Sequence, residues 1–192
     1  MAKKYEFQPD KPYATWLSKL QLTRQQQKQV LRWVLYTLIL LILSLAQDVV
    51  LCRFRLYGGT SDLVPCGIFL ISIMEGTHRG SVFALIASGI YLLSGSAPGP
   101  QVLVLITVMA VVTAALRQTY LHPRLPAAIL CVALAMAVYE LGIFAFCLLL
   151  EQVTADRYMT FVVPAVTSLI AVPIVYPFAK LIGRIGGETW KE

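Results

Sequence analysis

Long apolar runs alternate along the chain with short polar or glycine- and proline-rich breaks, and the runs occupy 33–51, 62–74, 81–94, 100–116, 127–150 and 162–182. Several approach the ~20 residues that an α-helix needs to cross a ~30 Å hydrocarbon core. Lipid offers nothing to an unpaired backbone amide, so spanning segments of this kind must be helical. The pattern predicts an all-α integral membrane protein, a bundle of six transmembrane helices over 33–184. Residues 1–32 form a basic, polar arm and 185–192 a short tail. Within the arm Tyr13, Trp16, Leu17 and Leu20 share one helical face. That spacing fits an interfacial helix over 13–24 or, equally, a loosely ordered tail, because so short a helix is marginal alone.

The second run is too short for its place. From Leu63 to Met74 a helix rises only roughly 18 Å at about 1.5 Å per residue, well below the core thickness. Two arrangements are open. Runs two and three either both span, with "EGTHRG" (75–80) as a cytoplasmic turn under helices shielded by longer neighbours, or form a re-entrant pair from the outer side. The re-entrant arrangement buries Glu75, His78 and Arg79, which requires protein or water around them. Both return the chain to the outer face at Gly95, and the spanning arrangement is the expectation.

Composition agrees with the pattern. Hydrophobic residues make up 58% of the 192 positions and charged residues 14%, with a mean hydropathy of +0.72. A soluble domain of this length cannot bury so much apolar surface. The net charge of +6 is unevenly placed: of sixteen lysines and arginines, only Arg53, Arg55 and Arg157 fall outside when both termini are cytoplasmic. Retention of positive charge on the inner side therefore sets the orientation. The basic arm suits this topology and contact with anionic lipid. Nothing resembles the aromatic platforms or recognition folds of a nucleic-acid binder. Ser44 and Ala46 mimic a signal-peptidase site, but the long preceding arm and the further apolar runs argue against cleavage. The cysteines at 52, 66, 131 and 147 include no C-x-x-C pair. They read as small apolar side chains, with a Cys52–Cys66 disulfide at the outer rim as the alternative.

Candidate chemistry is sparse. Gly80, Ala84 and Ser88 stand four apart, as do Ala110 with Ala114 and Ala133 with Ala137. Such seams let helices approach closely, either within the bundle or against a partner. Glu140 falls in mid-span, where an ionised carboxylate is costly. It is either a functional site or a structural group, kept neutral or hydrogen-bonded to a tyrosine or arginine; Tyr139 points to another face. Asp48 and its neighbour Gln47 lie near the outer end of the first run, where solvation accounts for them. His78 and His122 are each alone in a loop, and no serine or cysteine has a base at a recognised spacing. The serine of "GSAPG" (95–99) is misplaced for a nucleophile elbow. No phosphate loop or metal-ligand spacing is present, so no catalytic, cofactor-binding or metal-binding residues are expected.

Several short motifs occur in a telling order: Gln47, "DLVP" (62–65), "HRG" (78–80), Gly89, "LLSGSAPG" (92–99), "YEL" (139–141), Pro164 and "PIVY" (173–176). Over 33–184 this order resembles the MreD family of bacterial rod-shape-determining membrane proteins. Two positions differ from the family pattern: the proline near the second run stands at 65, and Tyr91 replaces a frequent aspartate. The resemblance implies a non-catalytic scaffold of the cell-elongation complex in the bacterial cytoplasmic membrane. Its expected partners are the bitopic protein MreC, directly, and MreB, the glycosyltransferase RodA and a class B penicillin-binding transpeptidase more widely, all in support of lateral-wall peptidoglycan synthesis. On this reading Glu75, His78, Arg79 and Gly80 form a cytoplasmic contact or turn, Ala84 and Ser88 extend the seam, and Glu140 is an intramembrane polar anchor. The family is also held to share its six-helix architecture with the substrate-binding subunits of energy-coupling-factor vitamin transporters, which supplies the alternative function. Those subunits dock through an Ala-x-x-x-Ala-like seam on the first helix, and 33–51 contains no such pair.

Overall fold

The structure is a computed structural model that describes residues 24–53, 61–120 and 125–185. The interfacial helix considered over 13–24 lies, except for its last residue, outside the described residues, as does the tail beyond 185. Every regular element among the described residues is helical. Helix α1, Arg24–Leu45, runs on through a π turn at Ala46–Val50 and a 3-10 turn at Leu51–Arg53. Then follow α2 (Leu63–Glu75), α3 (Thr77–Leu93), α4 (Gln101–Tyr120), α5 (Leu125–Leu149), α6 (Met159–Ser168) and α7 (Ala171–Gly183). Two stretches, Gln26–Val50 and Leu125–Leu149, are long and apolar enough to cross a membrane, and α6 with α7 makes a third if the bent pair is one span.

Three boundaries depart from the hydropathy pattern for local reasons. α1 already includes 24–32, ahead of the expected start at 33, because the arginine, glutamines and lysine of 24–29 are good helix formers with no breaker among them. The polar loop expected at 75–80 shrinks to Gly76, and His78, Arg79 and Gly80 belong to the first turn of α3. Gly76 takes φ 83°, a left-handed conformation that favours glycine. Its N–H donates to the Ser72 carbonyl at 3.0 Å, closing α2, while its own carbonyl accepts the Gly80 N–H at 2.8 Å, opening α3. The last run, expected as one segment over 162–182, divides into α6 and α7, bent by 42°. Pro173, near the start of α7, has no N–H to give, and its ring excludes the Leu169 carbonyl from a continuing helix.

α2 is the centre of the molecule. Every residue from Val64 to Met74 is buried, and α1, α3, α4, α5 and α7 all pack on it. The longer helices carry the exposed apolar surface, such as Val34, Leu38 and Leu41 on α1 and Leu130, Leu134 and Leu141 on α5. α1, α2 and α3 alternate in direction: Arg32 meets Glu75 beside Gly76 at one end, and Gln47 meets Val64 and Tyr91 at the other, the Gly95 end. Inside, the Phe69 ring meets the Tyr139 ring edge-on at 6.1 Å, and Phe83 takes Trp33 at 5.7 Å and Tyr36 at 6.0 Å. α2 and α3 touch most closely at Gly80, where an added Cβ would stand 2.6 Å from the Ser72 carbonyl oxygen and 2.9 Å from its Cα. The Ser72 hydroxyl donates to the Gly80 carbonyl at 3.2 Å across the same contact.

A methyl at position 80 therefore meets backbone that cannot step aside. Gly80→Ala is expected to destabilise the folded protein by roughly 1–3 kcal/mol, the usual cost of overpacking. Gly89→Ala, where a Cβ has nothing within 4 Å, should be neutral or slightly stabilising through helix propensity. Unfolding of the detergent-solubilised full chain, followed by circular dichroism, separates the two; equal stabilities would remove the close approach from the account.

Candidate functional site

At the Gly76 end, α1 and α2 are joined by an ion pair. Arg32 Nε and Glu75 Oε1 are 2.5 Å apart, and the two side chains are 8% and 5% exposed. Tyr36, one turn along α1, lies against both charges, and its hydroxyl reaches the Ala179 carbonyl of α7 at 3.5 Å. Glu75 closes α2 with a negative charge at the helix end where the macrodipole disfavours one. The guanidinium offsets both that and the burial. The sequence pattern places residue 32 at the end of the basic arm and Glu75 in a polar turn, and neither position foretells their pairing. The available signal was the helical repeat Arg32, Tyr36, Leu43, Gln47, all of which are buried on one face of α1 and its π turn. His78 is exposed, and Arg79 is half-buried and held by an interaction within the bundle.

The Gly95 end holds a second polar network. Asp62 occupies the N-cap position of α2 but makes no side-chain cap. Gln47 substitutes for it from α1: its Oε1 accepts the Val64 N–H at 3.1 Å, and its Nε2 donates to the Tyr91 hydroxyl at 3.3 Å. The expectation that Gln47 is merely solvated is thus corrected: it lies in the π turn on the buried face of α1, 5% exposed. Asp48 does face outward, and it accepts from the Ser96 hydroxyl at 3.0 Å. Ser61 and Thr167 share a hydrogen bond at 2.7 Å. The Cys66 thiol donates to the Ser168 carbonyl at 3.4 Å; it is a free thiol, which removes the Cys52–Cys66 disulfide considered above. The charge of Asp62 acts on Tyr91, Tyr139 and Glu140, so these four form one electrostatic group. Two of its atoms, Tyr139 Oη and Glu140 Oε1, are buried without a hydrogen-bond partner.

The three small-residue seams have different fates. Gly80, Ala84 and Ser88 are buried, the first against Ser72 and the last with its hydroxyl 3.4 Å from that of Thr107 on α4. Ala110 and Ala114 are buried as well. Ala137, in contrast, is exposed and Ala133 only half-buried. They line a groove of about 490 Å³ between α5 and α6 whose other wall includes Phe161, Ala165 and Val166, and Glu140 lines it too. A second groove, of about 220 Å³, runs between α1 and α3 from Trp33 and Phe83 to Ser44 and Ser94. Among the described residues no group of three or more histidines, cysteines or acids is placed to hold a metal ion. No family model, curated protein or solved structure matches the chain.

The ion pair at the Gly76 end makes a stability prediction. Arg32→Ala or Glu75→Ala alone leaves an uncompensated buried charge and should cost roughly 3–5 kcal/mol, whereas Arg32→Met combined with Glu75→Leu should recover most of that loss. Denaturant titration of the single and double variants in detergent gives the coupling; additive losses would show that the two side chains do not act as a pair.

Proposed function

We propose that this chain is a non-catalytic scaffold of the bacterial cell-elongation complex, an MreD-like protein that holds the bitopic protein MreC in the cytoplasmic membrane. In this reading α1 to α5 and the bent α6–α7 pair are six spans, and both termini face the cytoplasm. The short α2 spans with the others because its neighbours, not lipid, surround it. The alternation of helix direction and the scarcity of basic residues outside support the same orientation. The Gly76 end is then cytoplasmic and the Gly95 end outer. The arm before α1 contacts anionic lipid headgroups.

The observation that carries the reading is the division of the small-residue seams. Gly80, Ala84, Ser88, Ala110 and Ala114 are spent inside the bundle, while Ala133 and Ala137 are left open on a lateral groove. Small residues facing outward along a membrane helix admit a neighbouring helix at close range, which is what a holder of single-span partners needs. The motif order from Gln47 to "PIVY" supports the cell-elongation complex as the one that holder serves.

Affinity purification of the tagged full chain from native membranes tests this. MreC should co-purify, and depletion of the chain should round the cells. Recovery of an ATPase pair with its transmembrane coupling protein, in place of MreC, would instead identify a vitamin-transporter subunit.

A further inference from the structure

We infer that the groove between α5 and α6 receives one transmembrane helix of a different protein, and that this helix presents a hydrogen-bonding hydroxyl or amide side chain to Glu140. The inference rests on the scaffold reading and says where and by what chemistry the partner is held. Its first support is shape. Ala133, Ala137 and Ala165 withdraw side-chain bulk from facing parts of α5 and α6, while Phe161, stacked edge-on with Phe144 at 5.3 Å, closes one end.

The second support is independent of shape. Glu140 lines this otherwise apolar groove, is 6% exposed, and has an Oε1 with no partner. Asp62 brings a second carboxyl group into the same neighbourhood. A carboxylate oxygen in lipid requires a donor, and the neutral acid adds an O–H that requires an acceptor. The occupant must therefore bring a hydroxyl or an amide, which serve either form.

Depth decides what kind of molecule brings it. From Glu140 to Leu149, α5 rises roughly 14 Å, placing the carboxyl below any headgroup and within the acyl layer. An acyl chain fills the groove but carries no donor. A second copy of this chain fits poorly also: pairing the same grooves across a two-fold axis sets concave surface against concave surface, and exposed residues of α1 and α4 such as Val34, Leu38, Val104 and Val108 are apolar, while the exposed Thr37 hydroxyl already donates to the Trp33 carbonyl at 2.9 Å. A helix of another chain, with one polar residue among small ones, satisfies both shape and charge.

The test uses the full chain co-expressed with MreC from the same organism and purified by a tag on this chain. Glu140→Leu should lower retained MreC about tenfold, the effect of losing one good interhelical hydrogen bond. Glu140→Gln, which keeps an acceptor oxygen, should retain it. Ala137→Leu fills the groove from an exposed position and should also lose the partner, while Val104→Leu on the exposed face of α4 should not. Circular dichroism of each variant confirms an intact bundle, and a photo-crosslinking residue at Val166 should give an MreC adduct. If wild type retains MreC but Glu140→Leu and Ala137→Leu retain it equally, the groove assignment is overturned and the scaffold reading stands. If native mass spectrometry shows a phospholipid lost from Ala137→Leu with MreC unaffected, the groove holds lipid and the inference fails. If wild type retains no MreC, the scaffold reading itself fails, and the groove assignment with it.

Discussion

The constraint on which this molecule depends is that a thirteen-residue helix stands at its centre. α2 is too short to cross a bilayer by itself, and so apolar a helix is stable at the centre only if protein covers its sides and satisfies both its ends. The sides are covered by five helices. The ends are both secured by α1: Arg32 neutralises Glu75 at one, and the Gln47 carbonyl accepts the otherwise free Val64 N–H at the other. An N–H in the first turn of a helix has no partner within the helix, and in lipid no water supplies one. A side chain on a neighbouring helix is the remaining source, and Gln47, on the same buried face of α1 and its π turn as Arg32, is that side chain.

This arrangement explains which interactions are rigid. α3 turns back over Gly76 and lies against Ser72 at Gly80, so the α2–α3 hairpin has little room to shift. The Arg32–Glu75 pair and Tyr36 tie the same end of the hairpin to α1 and α7. α6, by contrast, is set at an angle to α7 by Pro173 and leans on α5 alone for much of its length. The lateral groove opens beside this less constrained element.

How much was legible in the sequence depended on the range of the interaction concerned. Helical class and approximate segments follow from runs of apolar residues, which are local. The division of the last run at Pro173 is also local, and proline carries its own signal. The Arg32–Glu75 and Gln47–Val64 contacts join residues far apart in the chain, and neither residue of either pair announces its partner. For Gln47 the helical repeat with Arg32, Tyr36 and Leu43 marks a shared face but does not say that α2 and α3 cover it. The seams illustrate a different limit. Gly80–Ala84–Ser88 and Ala133–Ala137 share the same spacing, and spacing specifies a face without saying what covers it. Only the packing of α2 and α4 against the first, and the absence of a helix over the second among the described residues, tells them apart.

The same distinction separates the two grooves. The one between α1 and α3 is smaller, but size is not what sets it apart. Its polar groups are already served: Thr37 donates to the Trp33 carbonyl at 2.9 Å, Ser94 to the Tyr91 carbonyl at 2.7 Å, and Tyr91 accepts from Gln47. An acyl chain can lie along it without stranding a donor or an acceptor, so the groove imposes no chemistry on what fills it. The groove between α5 and α6 does impose chemistry, because filling it with hydrocarbon alone leaves Glu140 Oε1 buried and unpaired. In a bilayer, where apolar surfaces barely discriminate among apolar occupants, a single unsatisfied polar atom is the feature able to select one helix over lipid.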